Sequence, residues 1–163
     1  MKVDKLYLFS TIVLMLVCPV ISISIDFMVV HQNHNLIFLT GKWFLFWAIG
    51  LRLLIAGFKQ VIDPGFTLEK IFNIQNKESQ IVIRELGFAN ICFGILGLIS
   101  LFFVQFRLSA AIGGGLYLGI DGVYHIIKKP VNKNEVIAMV SDLFIFLIMM
   151  IFVLNYVCVI SQT

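Results

Sequence analysis

WFLFWAIGLRLLIAGFKQVI, residues 43–62, carries only two charges in a run long enough to cross a lipid bilayer. A helix rises about 1.5 Å per residue, so roughly 20 residues cover about 30 Å of hydrocarbon. Trp43 and Trp47 open the run, where amphipathic indoles settle at headgroup level, and Lys59 lies towards its far end. Arg52 lies between them, close to the bilayer centre. An ionisable group at that depth costs about 2.5–3.5 kcal/mol on insertion scales, so it has to turn into a bundle and find partners there.

Working outward, four further apolar runs accompany it, giving spans at about 6–25, 43–62, 85–106, 108–127 and 136–160. The predicted fold is therefore an all-α membrane protein, an antiparallel bundle of five transmembrane helices forming one domain over residues 1–163. With these spans, Lys2, Lys5, Lys59, Lys70, Lys77, Arg84, Lys128, Lys129 and Lys133 share one side, and Lys42 and Arg107 lie opposite. The positive-inside rule makes the basic side cytoplasmic: a multi-pass protein of the cell (inner or plasma) membrane, N-terminus inside and C-terminus outside. The first span also fits a cleaved signal peptide, but no small-x-small cleavage site stands near its end, which favours a retained helix.

Composition agrees. The 163 residues are 60% hydrophobic, with a mean hydropathy of +1.01, against about 45–50% apolar in soluble domains. The net charge of +3 belongs to loops beside anionic headgroups rather than to a nucleic-acid surface. Cys18, Cys92 and Cys158 all fall in apolar runs at unrelated spacings, so they read as buried small apolar side chains rather than as a disulfide framework or zinc site.

Between the spans, the outer loop Asp26–Lys42 contains His31-Gln-Asn-His34, an HxxH without a third ligand, which reads as a polar loop. Asp63-Pro64-Gly65 is a turn, and Leu68–Ile74, capped by Thr67, reads as a short helix lying on the cytoplasmic surface between the second and third spans. Ser79 is expected to cap the third span. Pro130 ends the fourth span, and the polar tail Ser161-Gln162-Thr163 closes the fifth.

The polar residues of the spans gather towards the cytoplasmic half. Candidates for a substrate or ion pocket are Arg52, Glu85, Asn90, Tyr117, Asp121, His125 and Asp142, from the second to fifth spans. Ala110, Gly114, Tyr117, Asp121 and His125 form one helical stripe; Gly87, Asn90, Gly94 and Gly97 form another. Small residues let helices approach closely in lipid, so Gly87, Gly94, Gly97, Gly114, Gly115 and Gly119 are expected at helix contacts. Two roles remain open for the charged set. It lines a hydrated pocket, with Arg52 as fixed cation and His125 as titratable member, or Arg52 pairs with one acid, Glu85, Asp121 or Asp142, to fix helix register. No catalytic set, metal-ligand cluster or phosphate-binding loop is recognisable, and His125 has no second membrane histidine with which to clamp a haem.

Residues 43–127 resemble the DoxX-like superfamily of small bacterial four-helix membrane proteins. The likeness rests on Gly50-Leu-Arg52-Leu-Leu-Ile-Ala-Gly57-Phe-Lys59, on Arg84-Glu85-Leu-Gly87-Phe-Ala-Asn90 and on the glycine-rich helix after Arg107. It implies a four-helix core in spans two to five with an added N-terminal helix. Relatives include a thiosulfate:quinone oxidoreductase subunit and proteins tied to redox stress and membrane integrity. The resemblance thus implies a quinone as the one cofactor to consider, and a larger membrane or redox partner or a homo-oligomer. The sequence points to a non-catalytic accessory or interaction subunit, with a small transporter or proton-linked permease and a quinone-linked oxidoreductase subunit as alternatives.

Overall fold

The computed structural model describes residues 3–29 and 35–161. These contain no strand, and five helices are long and apolar enough to cross a membrane: α1 (Lys5–Val29), α2 (Leu36–Ile62), α3 (Lys77–Phe102), α4 (Phe106–Lys128) and α5 (Lys133–Val159). His31 and His34, and the end of the tail at Gln162-Thr163, lie outside the described residues.

The first connection is shorter than expected. α1 continues past Asp26 to Val29, and α2 starts at Leu36, where the Asn35 side chain accepts the Ile37 N–H at 2.9 Å. Asp26 and Lys42 are thus helical residues facing each other, joined by a 2.7 Å ion pair. Trp43 Nε1 donates to the same carboxylate and Trp47 Nε1 to Ser22 Oγ, each at 2.9 Å. The two indoles expected at the headgroups also tie α2 to α1.

Two helices widen into π turns. In α1 the turn is Val13–Val17, where the Cys18 N–H bonds back to the Val13 carbonyl, just before Pro19. Proline has no N–H to give and crowds the carbonyl four residues back, so the ladder shifts by one residue. In α2 the π turn is Leu45–Leu51, and it ends at Arg52, whose N–H reaches the Trp47 carbonyl. The inserted residue rotates everything after it relative to the first half of α2.

Glycine sets the spacing of three helix pairs. A Cβ on Gly87 would stand 2.9 Å from the Gly57 carbonyl oxygen, one on Gly94 2.7 Å from Leu54 N, and one on Gly97 2.6 Å from Gly50 N. Backbone therefore lies against backbone along α2–α3. On α4, Gly114 accommodates Ile49 of α2, while Gly115 and Gly119 accommodate Met149 and Phe146 of α5. Leu45, Ala48, Ile49, Ile145, Met149 and Phe152 complete a tightly closed apolar core. The outer surface is apolar: Leu6, Ile120, Leu147 and Leu154 are all more than half exposed, as side chains facing lipid would be. Cys92 and Cys158 belong to that exposed surface and Cys18 is half-buried, so the expectation of three buried thiols does not hold; all three are free.

The linking segment between α2 and α3 departs from a surface helix. Its helical turn is Phe66–Ile71, with Thr67 and Leu68 buried rather than capping and floating. Leu68 is drawn under the bundle because the surrounding backbone is tied there: Asn132 Nδ2 donates to the Ile71 carbonyl at 2.6 Å and Asn134 Nδ2 to the Lys70 carbonyl at 3.0 Å. Before α3, Asn76 rather than Ser79 supplies the side-chain cap, accepting the Glu78 N–H at 3.0 Å.

Candidate functional site

Every one of the five long helices sends a polar group to one cavity of about 520 Å³ at the basic end of the bundle. The sequence pointed to four helices; α1 is the addition, through Tyr7, Ser10 and Thr11. α2 contributes Arg52 and Gln60, α3 Asn90, α4 Tyr117, Asp121 and His125, and α5 Asp142. The volume is that of a pocket for a small molecule, and most of the lining is apolar.

Among the three acids open to Arg52, the structure selects Asp142. Arg52 Nη2 donates to Asp142 Oδ1 at 2.8 Å and to Ser141 Oγ at 3.2 Å, with the two side chains 13% and 5% exposed. A side chain on α2 leans towards its own N-terminus, away from the basic end. The π turn and the long Arg stem bring the guanidinium onto α5 nonetheless. The Tyr7 hydroxyl faces the same guanidinium.

Asn90 is buried on the glycine face of α3 and donates to Gln60 Oε1 across the α2–α3 contact at 2.6 Å. Two buried side-chain atoms among the described residues have no hydrogen-bond partner, Arg52 Nη1 and Asn90 Oδ1. Both belong to cavity-lining residues. A stranded buried donor or acceptor costs about 1–3 kcal/mol, so one that persists points to a use.

Tyr117 stacks on Phe93 at 4.8 Å between ring centres, and Asp121 lies one turn further along α4. Glu85 is elsewhere. Two residues from Gly87 is about 200° around the helix, so with Gly87 turned to α2, Glu85 falls on the exposed side, outside the cavity wall.

The floor of the cavity is a polar knot in which the candidates His125 and Asp121 are joined by Glu135 and Lys128. His125 is 2% exposed; its Nδ1 lies 3.1 Å from Glu135 Oε1 and its Nε2 3.7 Å from Asp121 Oδ2. Glu135 is wholly buried and also accepts Lys128 Nζ at 2.9 Å and the Val131 N–H at 2.7 Å. Asn132 caps α5 by accepting the N–H groups of Asn134 and Glu135. Asn134 in turn accepts the Asp4 N–H at 3.0 Å, and Asp4 caps α1 through the Tyr7 N–H. Phe72 stacks on His125 at 6.1 Å and closes it off from below. The available signal was Asn132-x-x-Glu135 before an apolar run, the spacing of a capping box. Here the glutamate turns inward and holds α4, the loop and α5 together. Glu135→Leu should therefore destabilise the protein by roughly 2–4 kcal/mol, since it strands His125 and Lys128. Glu135→Gln should cost less, and equal losses in thermal unfolding of the two variants would show that the charge is irrelevant.

Asp121, His125 and Asp142 bring one ligand atom each within 4.8 Å of one another, a spacing that metal ions use. Arg52 already holds Asp142, so a divalent ion there would share its ligand with a fixed positive charge. The group suits hydrogen bonding and proton exchange better than metal binding.

A family profile matches residues 7–163, nearly the whole chain and all of the cavity wall except Asp4 and Leu6. The chain belongs to DUF6790, a family of unknown function. No curated protein and no solved structure matches it. The family match spans α1 as well as α2–α5, in keeping with a site to which α1 contributes.

Proposed function

We propose that this protein is a non-catalytic membrane binding subunit, which holds a small, mainly apolar molecule in the cavity between its helices. The basic end faces the cytoplasm in this reading, as the distribution of Lys and Arg suggests, so the ligand sits in the inner half of the bilayer. The observation that carries it is the pair of unpartnered atoms, Arg52 Nη1 and Asn90 Oδ1, on residues lining a pocket of ligand size. Asp142 neutralises Arg52 without using all its donors. That leaves a directional donor for a ligand oxygen in a low-dielectric site, where such a bond is strong. Handing the ligand to a larger membrane partner is the accessory role that follows.

The test is ligand-dependent melting of the purified full chain in detergent, across fatty-acid esters, glycerides and quinones. A molecule that binds only the folded state stabilises it, by about 2.7 kcal/mol at a hundred times its Kd. At least one class should raise the melting temperature, and Arg52→Lys, which keeps a cation for Asp142, should lose that rise. Flat melting across all three classes, with no molecule recovered by organic extraction of the protein, would sink the proposal. A rise with quinones alone would favour the quinone-linked reading that the DoxX-like resemblance implies.

A further inference from the structure

The cavity is open at its side. Its rim includes Leu6 on α1 and Ile55 and Lys59 on α2, which are 77%, 50% and about half exposed. The basic-end half of α1 packs against α5, whereas α1 meets α2 chiefly further along, from the π turn of α1 onwards. A slot is left between Leu6, Ser10 and Leu14 of α1 and Ile55, Ala56 and Lys59 of α2. Leu6 is one residue from the start of α1 and Lys59 three from the end of α2, with Ile55 one turn deeper. The slot therefore runs from headgroup level into the acyl chains of one leaflet.

The charges on the wall restrict what can use it. The Arg52 guanidinium on the wall is already matched by Asp142, while Asp121 stands within 4.8 Å of that same carboxylate with His125 at 3.7 Å, and Asp4 lies at the cavity edge. An anionic head would meet these carboxylates where repulsion is poorly screened. The unpartnered atoms ask for one acceptor, at Arg52 Nη1, and one donor, at Asn90 Oδ1. We infer that the slot is a lateral opening through which an uncharged, hydroxyl-bearing ester lipid of the diacylglycerol type enters from the adjoining leaflet. Its ester carbonyl meets Arg52, its hydroxyl meets Asn90, and its chains trail between Leu6 and Ile55 into the membrane. This inference rests on the binding role proposed above.

The full chain in phosphatidylcholine nanodiscs is photolabelled with a diazirine-bearing diacylglycerol and, in parallel, with the phosphatidate of the same chains. Labelled peptides are then identified by mass spectrometry. The diacylglycerol should label α1 around Tyr7–Leu14 and α2 around Ile55–Gln60, and the phosphatidate should leave the cavity wall unlabelled. Leu6→Trp with Ile55→Trp fills the slot with side chains that already face outward, so folding should survive; Ile55→Phe alone is the milder variant. Both should reduce labelling of the cavity wall, the double variant abolishing it. Melting with monobutyrin, a water-soluble hydroxy ester that needs no lateral path, reports the cavity separately. If the double variant melts as the parent does and is labelled as fully, lateral entry is wrong although the cavity still binds. Equal labelling by phosphatidate overturns the uncharged class. If monobutyrin stabilises neither parent nor variant and no probe labels the wall, the binding role itself fails.

Discussion

Arg52→Met is expected to lower the unfolding free energy by roughly 3–5 kcal/mol, the largest single effect in the molecule. The size comes from what is left behind. Asp142 is 5% exposed, and without the guanidinium its carboxylate loses its ion-pair partner while the like-charged Asp121 stays within 4.8 Å. The second substitution decides the cause. Asp142→Asn added to Arg52→Met removes the stranded charge, so the double variant should recover most of the loss, because replacing both members of a buried pair is often nearly neutral. Thermal and denaturant unfolding of the four proteins closes the cycle. If the two single losses simply add, Arg52 and Asp142 do not act as a pair, and the electrostatic account of the cavity fails with them.

Gly97→Ala should cost about 1–3 kcal/mol, although alanine is the better helix former. The new Cβ would meet Gly50 N at 2.6 Å and the Leu45 carbonyl oxygen at 2.9 Å. Both are backbone atoms that no rotamer change can move, so α2 and α3 must part. Gly113→Ala is the control. Its Cβ meets only the Phe93 ring, at 3.2 Å, which can shift. The helix-propensity gain of up to about 1 kcal/mol should then show as unchanged or raised stability. If the two variants melt alike, the close approach of α2 to α3 is not what holds that pair together.

At the rim, Lys59 donates to Asp63 at 2.6 Å, and this bond holds the exposed Asp63 carboxyl below the usual carboxylate range. The lysine beside the slot is therefore tied back along its own helix near neutral pH, leaving the opening to apolar side chains.

Much of the arrangement could be read along the chain. Arg52 in the middle of an apolar run required a bundle, since no other structure shelters a cation at that depth. The glycine stripe on α3 could be read from spacing, because residues three and four apart share a helix face whatever the fold. Glu85 shows the limit of depth without angle: it is near Asn90 along α3 but turned to the other side. Glu135 does not stand out along the chain because, at the end of a charged loop, it has the pattern of an ordinary first-turn acid. Its burial depends on α4 delivering His125 and Lys128 to the same point.

Hydrophobic run length and the 3.6-residue period depend on a residue and its near neighbours alone. The sequence by itself therefore determined five long helices, the helix faces that carry small residues and the clustering of polar groups towards one end. The choice of Asp142 over Asp121, the inclusion of α1 in the cavity and the slot beside Leu6 and Ile55 belong to the tertiary structure. Each depends on a rotation or a gap between helices distant in the chain. The π turns at Val13–Val17 and Leu45–Leu51 shift those rotations by amounts that a regular helical period does not contain.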